Sequence, residues 1–230
     1  MTLRARVLEA LGTVYDPELD EPITTLGFVG SCVVTGSDVE VRLRLPTPQC
    51  APNFAFLMAA DARNAVRRLP EVGEVTIALE DHYTGAEINA AIERGDGFDG
   101  AFPGETVGDL DALRQLFQRK ALLGRQARLC QALLAEGASP EAVVAMRVAD
   151  LPDSSEAVRS VALRAALGLP HGPDAPALVA GDGSPLTAPE LHTWLRRARL
   201  VSLSLETNGG ICRDLLRVRY GTANEKEVAA

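Results

Sequence analysis

Hydrophobic and polar positions change period along this chain, and the changes mark out its elements. Leu3, Val7, Leu8 and Leu11 recur at helical spacing behind Thr2, a residue suited to cap them, and predict a helix over residues 3–13. A turn-rich acidic loop follows, Tyr15-Asp16-Pro17-Glu18-Leu19-Asp20-Glu21-Pro22. Leu26 to Thr35 reads as a strand and Gly36-Ser37-Asp38 as a tight turn. Val39 to Leu45 then alternates strictly, as a half-buried strand does, so the two strands make a hairpin with one face in the core. Phe54, Leu57, Met58, Ala62, Ala65, Val66 and Leu69 return to helical spacing over about 53–68, and Pro70 stops that helix. Val72 to Leu79 is a third strand. Thr84-Gly85-Ala86-Glu87 has the form of a capping box opening a helix through about Arg94.

From Gly95 to Gly108 the pattern lapses into glycines, with Phe98 and Phe102 between them, which suggests a linker that docks on something. Beyond it the period is helical: leucines over 109–135, a helix opened by Ser139-Pro140-Glu141, another over 154–167 and one opened by Thr187-Ala188-Pro189-Glu190. The last stretch is ambiguous. Val201, Leu203 and Leu205 alternate with polar residues, Asn208-Gly209 is a hairpin signal, and Ile211 to Leu216 suits strand or helix. The fold class expected is α+β. A small α-β-β-α-β sandwich domain over 1–94 is followed by a linker at 95–108, a mainly α-helical domain over 109–221 and a disordered tail at 222–230.

Composition narrows the function classes. With 47% hydrophobic and 23% charged residues the chain is globular, and with 4% aromatics its core is aliphatic. The net charge of −8 lies wholly in the first half, where residues 1–104 hold 8 basic and 16 acidic side chains against 15 of each in 105–230. That argues against nucleic-acid binding by the first half, since phosphate contacts need a basic surface. Arg196, Arg197 and Arg199 cluster in the second half, as cations do near a helix end. No apolar run resembles a signal peptide or a membrane span, so a cytoplasmic protein with reduced thiols is expected.

The stretch richest in chemistry is Pro46-Thr47-Pro48-Gln49-Cys50-Ala51-Pro52, where a strand hands over to a helix. Pro52 suits the first helical position, which puts the Cys50 thiol near a helix N-terminus, and a thiolate is both a nucleophile and a soft-metal ligand. Asp16 and Glu18 read by spacing as turn formers, though carboxylates there also suit metal ligation or proton acceptance. Thr47 stands three residues from Cys50. His82, just past the third strand, reads more readily as structural than as a ligand. Cys32 and Cys130 fall where side chains pack, and whether Cys130 or Cys212 joins Cys50 does not follow from spacing. No complete nucleophile–base–orienter set can be assembled.

Asp16-Pro17-Glu18, the Leu26-Gly27-Phe28-Val29 strand and Thr47-Pro48-Gln49-Cys50-Ala51-Pro52 before a helix together resemble the SufT/PaaD-like family of iron–sulfur cluster assembly factors, in order and spacing from about residue 3 to 80. The resemblance implies that Cys50 handles metal or cluster, with Asp16 and Thr47 at the matching positions and Glu18, Pro48 and Pro52 as supporting loop residues. Two departures stand out. Ala51 separates the cysteine from Pro52, and the cysteine-rich tail of PaaD-type members is absent. Asp81-His82-Tyr83-Thr84-Gly85-Ala86-Glu87-Ile88-Asn89 also looks like a subgroup encoded beside bacterial di-iron monooxygenases.

One cysteine is too few for a cluster, which takes about four ligands. A homodimer pairing two Cys50 residues with Asp16 or His82, or a client that supplies the missing ligands, would complete a labile site. The reading expected is a non-catalytic maturation factor that passes iron or an iron–sulfur cluster, held transiently, to an apo-metalloenzyme, such as a di-iron monooxygenase. A protein-binding adaptor with no metal role, and an enzyme using Cys50 as nucleophile with His82 beside it, are the alternatives.

Overall fold

The computed structural model describes residues 1–104 and 110–221. The expected tail at 222–230 and the last residues of the expected linker, 105–108, lie outside the described residues. The chain forms two compact units, one of residues 1–112 and 208–230, the other of residues 113–207.

The first unit opens with α1 (Leu3–Leu11), whose N-terminus Thr2 caps by accepting from the Ala5 amide at 3.3 Å. The strands β1 (Val29–Thr35) and β2 (Asp38–Arg44) pair antiparallel about the Gly36-Ser37 turn. After α2 (Pro52–Arg67), β3 (Val75–Glu80) joins β2 in parallel, and α3 (Gly85–Arg94) follows. The α-β-β-α-β order is therefore found, with the sheet in the order β1-β2-β3. Strand alternation decides which face is covered. Val39, Val41, Leu43, Ile77 and Leu79 are buried beneath the helices. The other face carries an ion-pair row in which Glu80 accepts from Arg42 at 3.0 Å and from Arg44 at 2.8 Å.

The glycine-rich segment is not free of structure. It contains the short helix α4 (Phe98–Ala101), and Phe98 meets Phe56 edge to face with ring centroids 5.4 Å apart. The capping box read at Thr84 is corrected. Thr84 makes no side-chain cap bond; its backbone is not extended, and its hydroxyl lies 3.1 Å from Nδ1 of His82 instead.

The second unit is helical. It holds most of α5 (Leu110–Ala135), then α6 (Pro140–Ala145), a 3-10 turn at Val148–Asp150, α7 (Ser155–Ala166) and the first part of α8 (Ala188–Tyr220). Its core gathers Leu129, Cys130, Leu133, Val143, Leu178 and Leu191. Two buried polar side chains hold the long 169–186 segment. Gln126 bonds the amide and carbonyl of Val179, and Arg164 donates to the carbonyls of Pro170, Pro176 and Ala177.

The hairpin signal at Asn208-Gly209 is also corrected, since residues 188–220 form one unbroken helix. Ala198, Ser202 and Leu205 are buried, at helical spacing, while Leu203 of the apparent alternation is 60% exposed. Polar Ser202 on the buried side, where it accepts from Arg128 and donates to Glu206, disguised the period.

Candidate functional site

The site grows from two loops of the first unit and the last turns of α8. The acidic loop is closed at its neck by backbone bonds from Ile23 N to Val14 O and from Asp16 N to Glu21 O, both 2.9 Å. Inside it Asp16 Oδ1 accepts from the amides of Glu18 at 2.8 Å and Leu19 at 2.9 Å. The carboxyl is only 7% exposed. Burial pushes its pKa up to about 6, against the pull of those two amides, and the charges of Glu18 and Glu21 add to the rise. Glu18 itself is exposed.

The second loop leaves β2 and enters α2, with Pro52 at the first helical position as the sequence implies. Cys50 is half-buried at the border of the core. The Thr47 hydroxyl lies 3.7 Å from its Sγ, within reach of a hydroxyl–thiol hydrogen bond. Thr47 thus addresses the thiol. His82 meets the loop elsewhere. Its Nε2–H donates to the Cys50 carbonyl at 2.7 Å, while Nδ1 accepts from the Thr84 amide at 3.3 Å. Those bonds describe the neutral Nε2–H tautomer, used as a clamp on the loop backbone. Next to it the Tyr83 amide donates to Pro48 O at 3.1 Å. His82 and Tyr83 together fix the loop that carries the thiol.

The third wall was not legible from spacing. Along α8, Gly209, Cys212, Arg213, Leu216 and Tyr220 fall on one helical face. Arg213 donates to Glu21 of the acidic loop at 2.6 Å. Leu216 lies against Gly27, whose missing Cβ would stand 3.2 Å from its Cδ2. Arg219 donates to Leu45 O at 3.1 Å and Asp81 O at 2.9 Å, the strand ends from which the Cys50 loop and its clamp depart. Tyr220 donates to Asp81 Oδ2 at 3.2 Å and lies beside Arg44.

Cys212 is half-buried on this face and borders the same core as Cys50. Its pKa is pushed up to about 11, first by burial and then by the charges of Asp16, Cys50 and Glu18, with Arg213 opposing. Cys32 and Cys130 are interior, 5% and 0% exposed, and burial raises both thiols. Among the described residues, no three His, Cys, Asp or Glu groups converge closely enough to close a metal site. Cys50 and the acidic loop therefore present candidate ligands on one unit, without a full metal shell among the described residues.

Residues 4–77 match the sequence profile of a family described as iron–sulfur cluster assembly protein. An iron–sulfur cluster carrier protein of Deinococcus radiodurans is 32% identical over 87 residues, which is 38% of this chain but 23% of the carrier's length. An uncharacterised protein of Methanocaldococcus jannaschii is 31% identical over 94 residues, 40% of this chain and 97% of that protein. Both matches cover less than half of the present chain. No helix among the described residues is long and apolar enough to cross a membrane.

Proposed function

We propose a function from the premise that the chain belongs, through residues 4–77, to the iron–sulfur cluster assembly protein family. It accepts iron or an iron–sulfur cluster at Cys50 and hands it to a client apo-metalloenzyme, without itself catalysing a reaction. The supporting observation is the Cys50 thiol. It is half-buried, its carbonyl is held by His82 and its sulfur lies within reach of Thr47, on a unit that also carries the Asp16 and Glu18 carboxylates.

The chemistry follows from what is present and what is missing. A soft thiolate binds iron in preference to the hard cations that carboxylates favour. The acids keep the neighbourhood attractive to a cation. Fewer ligands than a cluster needs leave coordination positions for the receiver, so cargo can pass by ligand exchange. His82 and Tyr83 hold the loop still, which spares the ordering that a mobile ligand loop would undergo on binding. The client in this reading is a di-iron monooxygenase, as the resemblance around Asp81–Asn89 implies.

Anaerobic reconstitution with ferrous iron and sulfide tests the reading. The full chain takes up iron with thiolate-to-iron absorption in the visible range, and Cys50→Ala takes up little. Equal uptake by the two proteins would remove Cys50 from the account.

A further inference from the structure

We infer that the free edge of β3 receives a short, extended, acidic segment of a partner protein, which adds to the sheet as a fourth strand between α2 and α3. The inference uses none of the residues placed around Cys50 and stands apart from metal delivery.

The register shows which backbone groups are open. β3 pairs with β2 in parallel, Val39 opposite Val75 and Leu43 opposite Leu79. The Val39 amide donates to the Glu74 carbonyl at 2.9 Å. In a parallel ladder, alternate residues turn both N–H and C=O to the same neighbour. Glu74, Thr76 and Ala78 therefore face β2, while Val75, Ile77 and Leu79 face outward. At Leu79 the outward groups are taken. The Asn89 side chain accepts from the Leu79 amide at 2.8 Å and donates to its carbonyl at 3.1 Å, the two bonds a neighbouring strand would make. At Val75 and Ile77 nothing among the described residues takes that place, and β3 is the last strand of the sheet. Main-chain donors and acceptors left open along an edge are the template for strand addition.

The edge opens into a groove of about 500 Å³ past Gly73–Ala78, lined by Arg63 and Arg67 of α2 and by Asn89, Ile92 and Glu93 of α3. Asn89 ends the open edge at Leu79, so the added strand is short. A second copy of this chain would bring its own α2 and α3 to the edge, whereas a single extended segment fits between the helices.

The lining selects the charge of the occupant. Arg63 Nε is buried without a hydrogen-bond partner, although its Nη2 donates to the Glu93 carbonyl at 3.5 Å. Arg67 is exposed. Among the described residues neither guanidinium pairs with a carboxylate, while Arg6, Arg42, Arg44 and Arg94 of the same unit all do. A carboxylate on the incoming strand satisfies the orphaned donor and gains charge-assisted bonds. Glu93 repels an acid on the α3 side, so that carboxylate faces α2.

Residue-resolved amide exchange on the full-length protein tests the edge. In the free protein, Val75 and Ile77 should exchange faster than Thr76 and Ala78, whose amides lie in the β2 ladder. The probe is a capped heptapeptide of alternating valine and glutamate. It should slow Val75 and Ile77 at least ~10-fold at saturation, and copies N-methylated at either set of alternate amides should protect them less. A version with lysine for glutamate should bind at least ~3-fold more weakly, and Arg67→Glu should abolish that preference. Four results would overturn the inference: Val75 and Ile77 already as slow as Thr76 and Ala78, no protection by the glutamate peptide, equal protection by both N-methylated copies, or equal binding of the lysine version. Protection that rises with protein concentration without peptide would assign the edge to a second copy and overturn it too. None of these results bears on iron uptake at Cys50.

Discussion

Glu21 and Arg213 are 192 residues apart in the chain and 2.6 Å apart in the fold. Their ion pair joins the acidic loop to the last turns of the final helix. Both side chains keep solvent contact, with 26% and 39% exposed, so its stability contribution is small, about 0.5–1 kcal/mol. Its larger effect is on order. Arg213→Ala should lower Tm by only a few degrees, yet speed hydrogen exchange of the amides over 208–220. Unchanged exchange there would show that Leu216 and Arg219 hold the helix without it.

Gly27, just before β1, is one point where that helix packs on the strand side. Its φ of +77° is one that L side chains rarely adopt, and a Cβ would press on Leu216 at 3.2 Å. Gly27→Ala should destabilise the protein by about 1–2 kcal/mol, from backbone strain and the contact together. Chemical denaturation measures it, and a neutral result would mean that Leu216 has room to turn aside.

Asp16 carries a pH signature of opposite sign to most carboxylates. Its folded pKa is raised from 3.8 to about 6, so between those values the folded state holds a proton that the unfolded state has lost. Stability from this group is complete below the unfolded value and falls as pH rises through the folded one, by roughly 3 kcal/mol in all. Asp16→Asn keeps the oxygen that the Glu18 and Leu19 amides need and removes the charge. It should raise Tm at pH 7.5 and flatten the stability profile between pH 4 and 6. A lower Tm at pH 7.5 would show that the ionised carboxylate is stabilising the fold.

Cys212 should alkylate slowly at neutral pH. Burial, then the charges around it, raises its thiol from 9.0 to about 11, so its iodoacetamide rate should still be climbing above pH 9. Asp16→Asn should shift that climb to lower pH. A rate already level by pH 9 would mean that these charges do not reach the thiol.

His82 acts on the backbone of the Cys50 loop. His82→Ala removes the 2.7 Å bond to the Cys50 carbonyl and should cost about 1 kcal/mol of stability. It should also raise the alkylation rate of Cys50, because the loop samples more open states. A Cys50 rate unchanged from wild type would assign the loop's rigidity to its prolines alone.

The half of the site that was legible in the sequence is the half built from local signals. Strand alternation up to Leu45, prolines on both sides of Cys50 and an apolar helical stripe after it place the thiol at a strand-to-helix junction. Asp16 lies in a loop whose turn chemistry is local too. Cys212 depends on contacts across the whole chain, and the local signals near it misled. Asn208-Gly209 has the composition of a hairpin, but both residues lie inside α8, where the Glu21 carboxylate comes near Gly209. Val201, Leu203 and Leu205 alternate like a strand, but Ser202 and Leu205 are buried while Leu203 is exposed, which is helical spacing. His82 was visible as a candidate ligand, whereas its use as a clamp depends on the Cys50 carbonyl, which spacing does not reveal.

The central claim is that cargo passes through Cys50 to a receiver. The direct measurement loads the protein with iron and sulfide, removes unbound metal, and mixes it anaerobically with an apo-acceptor while an unloaded chelator competes for free iron. Delivery predicts that the acceptor's cluster absorption appears at the same rate with and without the chelator, and that Cys50→Ala produces none. Appearance that the chelator abolishes, or that Cys50→Ala supports at the wild-type rate, would contradict it.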